Sequence, residues 1–357
     1  MPRRTRACAR ASARVDPAGG GTDAPPFSVD HGGLVINFGV DLHAYASFER
    51  LPRGHGVVVA SLDLDRAVVA PSSASLPVRG ELEFLSAFVR RLVPPEDSIA
   101  LVTDSDIPAG SGLGGSGAVG VAIVAAIDRG YGRTRSRVDT ALLANHVERV
   151  DLGYPGGNQD SFGAALGGLN RLVYRRGGET EAQRIAVALD VRRELEHASI
   201  LVYTGAARVS GSIHEDIKRS YGEPGSSTPS TLRNLRDDAE ALAAALEAGD
   251  LDAYVGALNA SCRHLYELHP SCDSAAHREL FADLGDRILG AKTCGAGGGG
   301  FALVHTRAGR RRDCVRRAEA LGAKVWPLEI DFDGLVEWDE VPYGEEQIER
   351  FRALARG

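Results

Sequence analysis

The stretch Pro108–Gly120, PAGSGLGGSGAVG, places six glycines in thirteen residues and runs directly into the apolar segment VAIVAAI. Residues without a Cβ let backbone N–H groups close on phosphate oxygens, and the start of a helix adds the positive end of its dipole. Two kinds of ligand suit such a turn. Gly110, Gly112 and Gly115 fit the G-x-G-x-x-G spacing of a dinucleotide loop, and the preceding SIALVTD reads as a strand. A nucleoside triphosphate suits the same backbone. The loop alone leaves both open, so the rest of the chain has to decide.

A chain of 357 residues is long enough for two domains with sizeable cores. Its net charge of -7 gives no general attraction to nucleic acid, and the basic run GRRRDCVRR, Gly309–Arg317, reads as a solvated helix face. The longest apolar stretch, Ala118–Ile127, is half the roughly 20 residues a bilayer span requires, so no membrane association is expected. Cys8, Cys262, Cys272, Cys294 and Cys314 are scattered without C-x-x-C pairs, which points to reduced thiols in a cytoplasmic protein and away from zinc. The arginine-rich start, MPRRTRACARASAR, has no hydrophobic signal core behind it and reads as a short tail entering a first strand.

Along the chain, strand-forming residues fill Gly33–Phe48 on either side of Gly39 and Asp41, and GVVVASLD at Gly56–Asp63 continues in that manner. Helical periodicity follows in Glu81–Val93 and in VDTALLANHVERVDLG, where Asp139 reads as a cap. Another strand is expected over Ala198–Gly205. A long helical region, about Thr228–Leu268, is divided by Gly249-Asp250, and the polar segment Lys218–Ser230 before it reads as a lid or linker. The order strand, glycine loop, helix, strand near the end suits an α+β second domain.

The dinucleotide reading weakens here. Its acidic ribose ligand belongs about 20 residues past the glycines, at the end of a second strand. That region is GRTRSRVDTALLA. Two further glycine clusters, DPAGGGTD at Asp16–Asp23 and CGAGGGGF at Cys294–Phe301, also need a purpose. One such cluster is often just a turn. Three, each beside an apolar strand or helix, favour a site assembled from both halves.

These segments together resemble the GHMP small-molecule kinases. PAGSGLGGSGA resembles their phosphate loop, P-x-x-x-G-L-G-S-S-A, with Gly115 in place of the first serine and Ser116 keeping the second. AKTCGAGGGGFAL, Ala291–Leu303, resembles their C-terminal glycine motif. ARVDPAGGGTDAPPFSVDHGGLVINFGVD, Ala13–Asp41, is similar to the N-terminal substrate motif of the sugar kinases that phosphorylate D-glycero-D-manno-heptose 7-phosphate at its anomeric oxygen. ERVDLGYPGGNQDSFGAALGGLN and VYTGAARVSGSI carry the likeness onward, so that it covers roughly residues 10 to 335.

The resemblance implies an α+β protein with a ribosomal-S5-like N-terminal domain over 1–185, a ferredoxin-like C-terminal domain over 186–335 and a tail over 336–357. It implies ATP with Mg²⁺ as cofactors and a small-molecule sugar or sugar phosphate as partner; a homodimer is a further expectation. Pro108, Gly110, Ser111, Gly112, Leu113, Gly114, Gly115 and Ser116 would cradle the phosphates. Ser116 and Glu148 would supply oxygen donors to the metal, as a hard cation requires. Asp160 would orient the attacking hydroxyl and accept its proton, and Arg14 would steady Asp160 or the transferring phosphoryl group. Asp23, with Gly21, Thr22, His31, Gly157, Gly297 and Gly298, would face the acceptor.

Arg208 is the expected reader of an acceptor phosphate, since a guanidinium binds that group in two-pronged fashion. Taken singly, each of these residues has a plainer reading. Glu148 suits a surface acid, Asp160 an Asx turn, Arg14 a strand edge, and His31 a turn before Gly32-Gly33. Only the family pattern turns them toward chemistry. Other readings stay open: a kinase of the same fold for another sugar or for an aminocyclitol intermediate of antibiotic assembly, a catalytically silent sugar-binding regulator, and an NAD-dependent enzyme.

Overall fold

The computed structural model describes residues 6–205 and 210–355. The protein is mixed α+β and is built on two sheets. Strands of the first sheet are β1 (Arg6–Ala18), β2 (Gly33–Arg50), β3 (Val57–Ser61), β4 (Arg66–Ala70), β5 (Ile99–Ser105), β6 (Leu169–Tyr174) and β7 (Thr180–Arg184). The second sheet holds β8 (Ser199–Tyr203), β9 (Ile288–Thr293), β10 (Phe301–Thr306) and β11 (Lys324–Pro327), in the antiparallel order β11-β8-β10-β9. A last strand, β12 (Val336–Glu340), returns to the first sheet, whose order is β12-β1-β2-β5-β3-β4.

Strand β2 runs unbroken through Gly39 and Asp41. Its first part, Gly33–Phe38, pairs with β6, and its last part, Ala44–Arg50, pairs with β5. The register against β1 shifts between Val40 and His43, and again between Ile36 and Phe38, which bends the strand and lets one segment serve two neighbours. Strand β1 is buried at all but two positions because helices pack against it from both sides. One group comprises Gly115–Gly130 and Gln159–Leu166; the other is the pair Thr228–Ala248 and Leu251–Leu268. A strand covered on both faces loses the polar alternation of a half-exposed one.

The helical pair breaks where the sequence indicates. Gly249 adopts φ 71° and ends the first helix, and the Asp250 side chain accepts from Ala253 N at 2.9 Å to start the second. The cap of Arg137–His146 is one turn earlier than expected. Ser136, not Asp139, occupies it and accepts from Asp139 N at 3.1 Å. Most of the polar segment Lys218–Ser230 is likewise helical, because Ser210–Tyr221 runs into it and Thr228 opens the next helix.

Segment 336–357 was expected to be a tail, yet its described part joins the N-terminal sheet. β12 pairs antiparallel with β1, and the helix Glu345–Leu354 sets Ile348 and Phe351 against Val58, Ala60, Ala100 and Val102. Leu201, Phe301 and Leu303 of the second sheet also enter the main core with β1, β2 and Gly115–Gly130. The two halves thus share packing at the place where the glycine loops meet. Among the described residues no helix is long and apolar enough to cross a membrane.

Candidate active site

The Pro108 loop follows β5 and ends at Gly114, which has φ 71° and starts the helix Gly115–Gly130. A Cβ on Gly114 would lie 3.1 Å from Asp160 Cγ and 3.2 Å from Arg14 Cγ, so both conformation and space require glycine. Backbone from both halves supports the loop. Ser111 O accepts from Phe301 N at 2.8 Å, Leu113 O accepts from Arg14 N at 3.0 Å, and Gly112 O accepts from Arg14 Nη1 at 2.5 Å. The helix beyond presents its first N–H groups to the loop's open side, the arrangement that attracts phosphate.

This loop borders a cleft of about 700 Å³. On one side Leu64, Phe84, Leu85, Ile107 and Val119 give it an apolar wall suited to a flat base. That wall escaped the sequence reading because its residues come from separate segments and form no local motif.

At the centre, Arg14 donates to Asp160 Oδ1 from Nε at 2.9 Å and from Nη2 at 2.6 Å. Burial works against the charge on Arg14, yet Asp160 and Asp16 outweigh it and raise its pKa. Asp160 sits in the first turn of Gln159–Leu166, against Gly117. A Cβ on Gly117 would meet the Asp160 and Ser161 backbone at 2.8 Å, so that position requires glycine.

Ser116 Oγ donates to Glu148 Oε1 at 2.8 Å. Glu148 is buried because the helix Arg137–His146 continues as a π-type turn, Val147–Asp151, that rotates it inward. Burial pushes its carboxyl pKa up; Arg149 and the Ser116 hydroxyl oppose this, and Asp160 adds to it. Oxygen donors from a hydroxyl and a carboxylate suit Mg²⁺, and Arg149 Nη2 lies 3.6 Å from the other Glu148 oxygen, Oε2. No cluster of three or more His, Cys, Asp or Glu with metal-binding geometry occurs among the described residues.

Across the cleft lies Asp23, buried and pushed up to about 6 by burial first and by Asp160 second. Its oxygens accept from Gly21 N and Gln159 N, both at 3.2 Å. Gly157 packs so closely on this carboxylate that a Cβ would collide with Oδ2. Gly21, Asp23 and Gly157 all line the cleft. Thr22, His31, Gly297 and Gly298 stand behind the wall. Thr22 Oγ1 donates to Gly19 O at 2.8 Å and Leu34 O at 2.9 Å, His31 packs on Phe27, and Gly298 N donates to Cys272 O at 2.7 Å. Their contribution is to the shape of the turns. Arg208 lies outside the described residues.

Three features were not anticipated. Arg149 lines the cleft and donates to Gly157 O at 3.0 Å, Tyr154 O at 3.3 Å and Pro155 O, fixing the loop that carries Gly157. His214, on the helix Ser210–Tyr221, lines the same side. Beneath the floor, Lys292 Nζ lies 3.5 Å from Asp16 Oδ2, with both side chains buried, while Asp16 Oδ1 accepts from Gly295 N at 2.7 Å. This pair ties β1 to β9 and to the C-terminal glycine loop. No motif marks it, because the two residues are separated by most of the chain.

A glycine loop at a helix start, a buried arginine–carboxylate pair and a hydroxyl–carboxylate pair share one cleft, an arrangement suited to small-molecule phosphoryl transfer. Residues 82–168 match the GHMP kinases N-terminal domain, and the chain is an ATP-dependent phosphotransferase. It is 26% identical over 332 residues to a D-glycero-alpha-D-manno-heptose 7-phosphate kinase of Campylobacter jejuni, covering 91% of this chain and 96% of that one. It is 29% identical to a galactokinase of Thermococcus kodakarensis, over 62% of this chain and 69% of that one. Its fold is also that of a solved D-glycero-D-manno-heptose 1-phosphate kinase from Bacteroides thetaiotaomicron, with a TM-score of 0.78, 24% identity, and coverage of 93% and 98%.

Proposed function

We propose that the protein transfers the γ-phosphoryl group of ATP to a hydroxyl of a sugar phosphate, and that the acceptor is a heptose 7-phosphate taken at its anomeric oxygen. The observation that carries this reading is the Arg14–Asp160 pair, which lies between the glycine loop on one side and Asp23 on the other. Asp160 is the group that orients the attacking hydroxyl and receives its proton. Arg14, held by the Gly112 carbonyl, neutralises charge on the transferring group. Ser116 and Glu148 would hold Mg²⁺, which supplies charge neutralisation on the nucleotide phosphates. The apolar wall at Phe84 and Leu85 would take the adenine.

The heptose choice is supported by the near full-length likeness to the Campylobacter kinase and by the GGGTD turn that presents Asp23. Arg208 stands as the proposed contact for the acceptor phosphate. A cytoplasmic setting goes with this reading, and the five cysteines, all buried and free, suit it. The decisive experiment is a transfer assay with radiolabelled ATP against sugars, sugar phosphates and aminocyclitols. Preferential labelling of D-glycero-D-manno-heptose 7-phosphate is expected. Preferential labelling of an unphosphorylated sugar or an aminated ring would replace the acceptor while leaving the kinase assignment in place.

A further inference from the structure

His214 is the one imidazole in the cleft wall among the described residues, and neither the glycine loops nor the metal pair uses it. It lies on the acceptor side. Its helix, Ser210–Tyr221, is pinned there by Ile213 and Ile217, which are buried with Phe27, Leu232, Leu265 and Leu268. At its far end Tyr221 donates to Asp30 Oδ2 at 3.0 Å and meets Phe27 edge-on. Leu268 in turn approaches the Gly21 position that neighbours Asp23. The helix is therefore fixed against the same turn that carries the acceptor-facing carboxylate.

His214 lines the same cleft as Arg149, Asp160 and Arg14, and their charges reach its ring. Burial first, then the two guanidiniums, hold the imidazole down to about 4, against the pull of Asp160. At neutral pH the ring is uncharged, with one nitrogen a donor and the other an acceptor. No hydrogen bond to it occurs among the described residues. A sugar hydroxyl, itself donor and acceptor, is the complementary partner.

We infer that His214 is a specificity-determining residue that hydrogen-bonds one ring hydroxyl of the acceptor, opposite Asp23. This rests on the sugar phosphate reading above. The test uses the full chain with D-glycero-D-manno-heptose 7-phosphate and its monodeoxy analogues. His214→Phe keeps a flat ring and removes both polar atoms; His214→Gln restores a donor and an acceptor. Matching melting curves with ATP establish that the variants fold and bind nucleotide.

The Phe variant should lose about three- to tenfold in kcat/KM for the parent acceptor, the scale of one neutral hydrogen bond. It should lose little or nothing for a single deoxy analogue, the one lacking the contacted hydroxyl, and Gln should recover part of the loss. An equal loss for every analogue, or none, would overturn the inference while the wild-type enzyme still phosphorylates the heptose phosphate. Failure of the wild-type chain to phosphorylate that acceptor would overturn the sugar phosphate reading itself, and the inference with it.

Discussion

The two sides of the cleft are built differently. The side we assign to the nucleotide is a glycine loop and the start of a helix beside an apolar wall. The side we assign to the acceptor is made of polar side chains, Asp23, Arg149, Asp160 and His214, delivered from separate places along the chain. Backbone sites are written locally, because only glycine tolerates φ 71° at Gly114 together with the close approach of Arg14 and Asp160. Side-chain sites depend on which segments the fold brings together, so local sequence describes them poorly.

The largest effect is expected where the two sides of the cleft meet. Asp160→Asn should cut kcat by about 100- to 10,000-fold while ATP binding, followed by titration calorimetry, changes little. A fully active variant would remove Asp160 from the mechanism. Next in size is the buried tie beneath the floor. Lys292→Met alone should destabilise the chain by about 3 to 5 kcal/mol, because it strands the Asp16 carboxylate without its cation. The paired change Lys292→Met with Asp16→Asn should recover much of that loss in denaturant titrations, and no recovery would show that the two do not act as a pair.

The metal pair should produce a smaller effect with a different signature. Ser116→Ala and Glu148→Gln are each expected to raise the Mg²⁺ concentration needed for half-maximal rate, by about tenfold, with partial rescue at high Mg²⁺. An unchanged magnesium requirement would place the metal elsewhere. Smallest is a pH effect at Asp23. Its folded pKa, about 6, lies above that of an unfolded aspartate, so the folded state holds its proton more tightly and stability falls as pH rises from about 4 to 6. Asp23→Asn should therefore melt higher than wild type at pH 7, with the gap closing as pH falls through that window, and should bind acceptor more weakly at pH 7. An Asn variant that melts lower at pH 7 would contradict the stored cost.

Much of the fold was legible for reasons seen in particular residues. Gly249-Asp250 announced a helix break through its cap chemistry, and the Pro108 loop announced a strand-to-helix turn. The return of β12 was missed because a five-residue edge strand has too short a pattern to distinguish from a tail. Glu148 was read as important only through resemblance, since the π-type turn that buries it leaves no periodicity to follow. Lys292 was passed over among the glycines, although a lone lysine in an apolar strand carries a signal of its own: it must find a buried partner.

If the protein acts as proposed, the two sides of the cleft act on one phosphoryl group, with ATP beside the glycine loop and the anomeric hydroxyl of a heptose 7-phosphate beside Asp23. This is tested most directly by ³¹P NMR of the reaction of wild-type protein with ATP, Mg²⁺ and that acceptor. ADP should form together with a heptose bisphosphate whose new phosphorus signal is coupled to the anomeric proton. ADP with free phosphate alone, or a new phosphate on any other carbon, would contradict it.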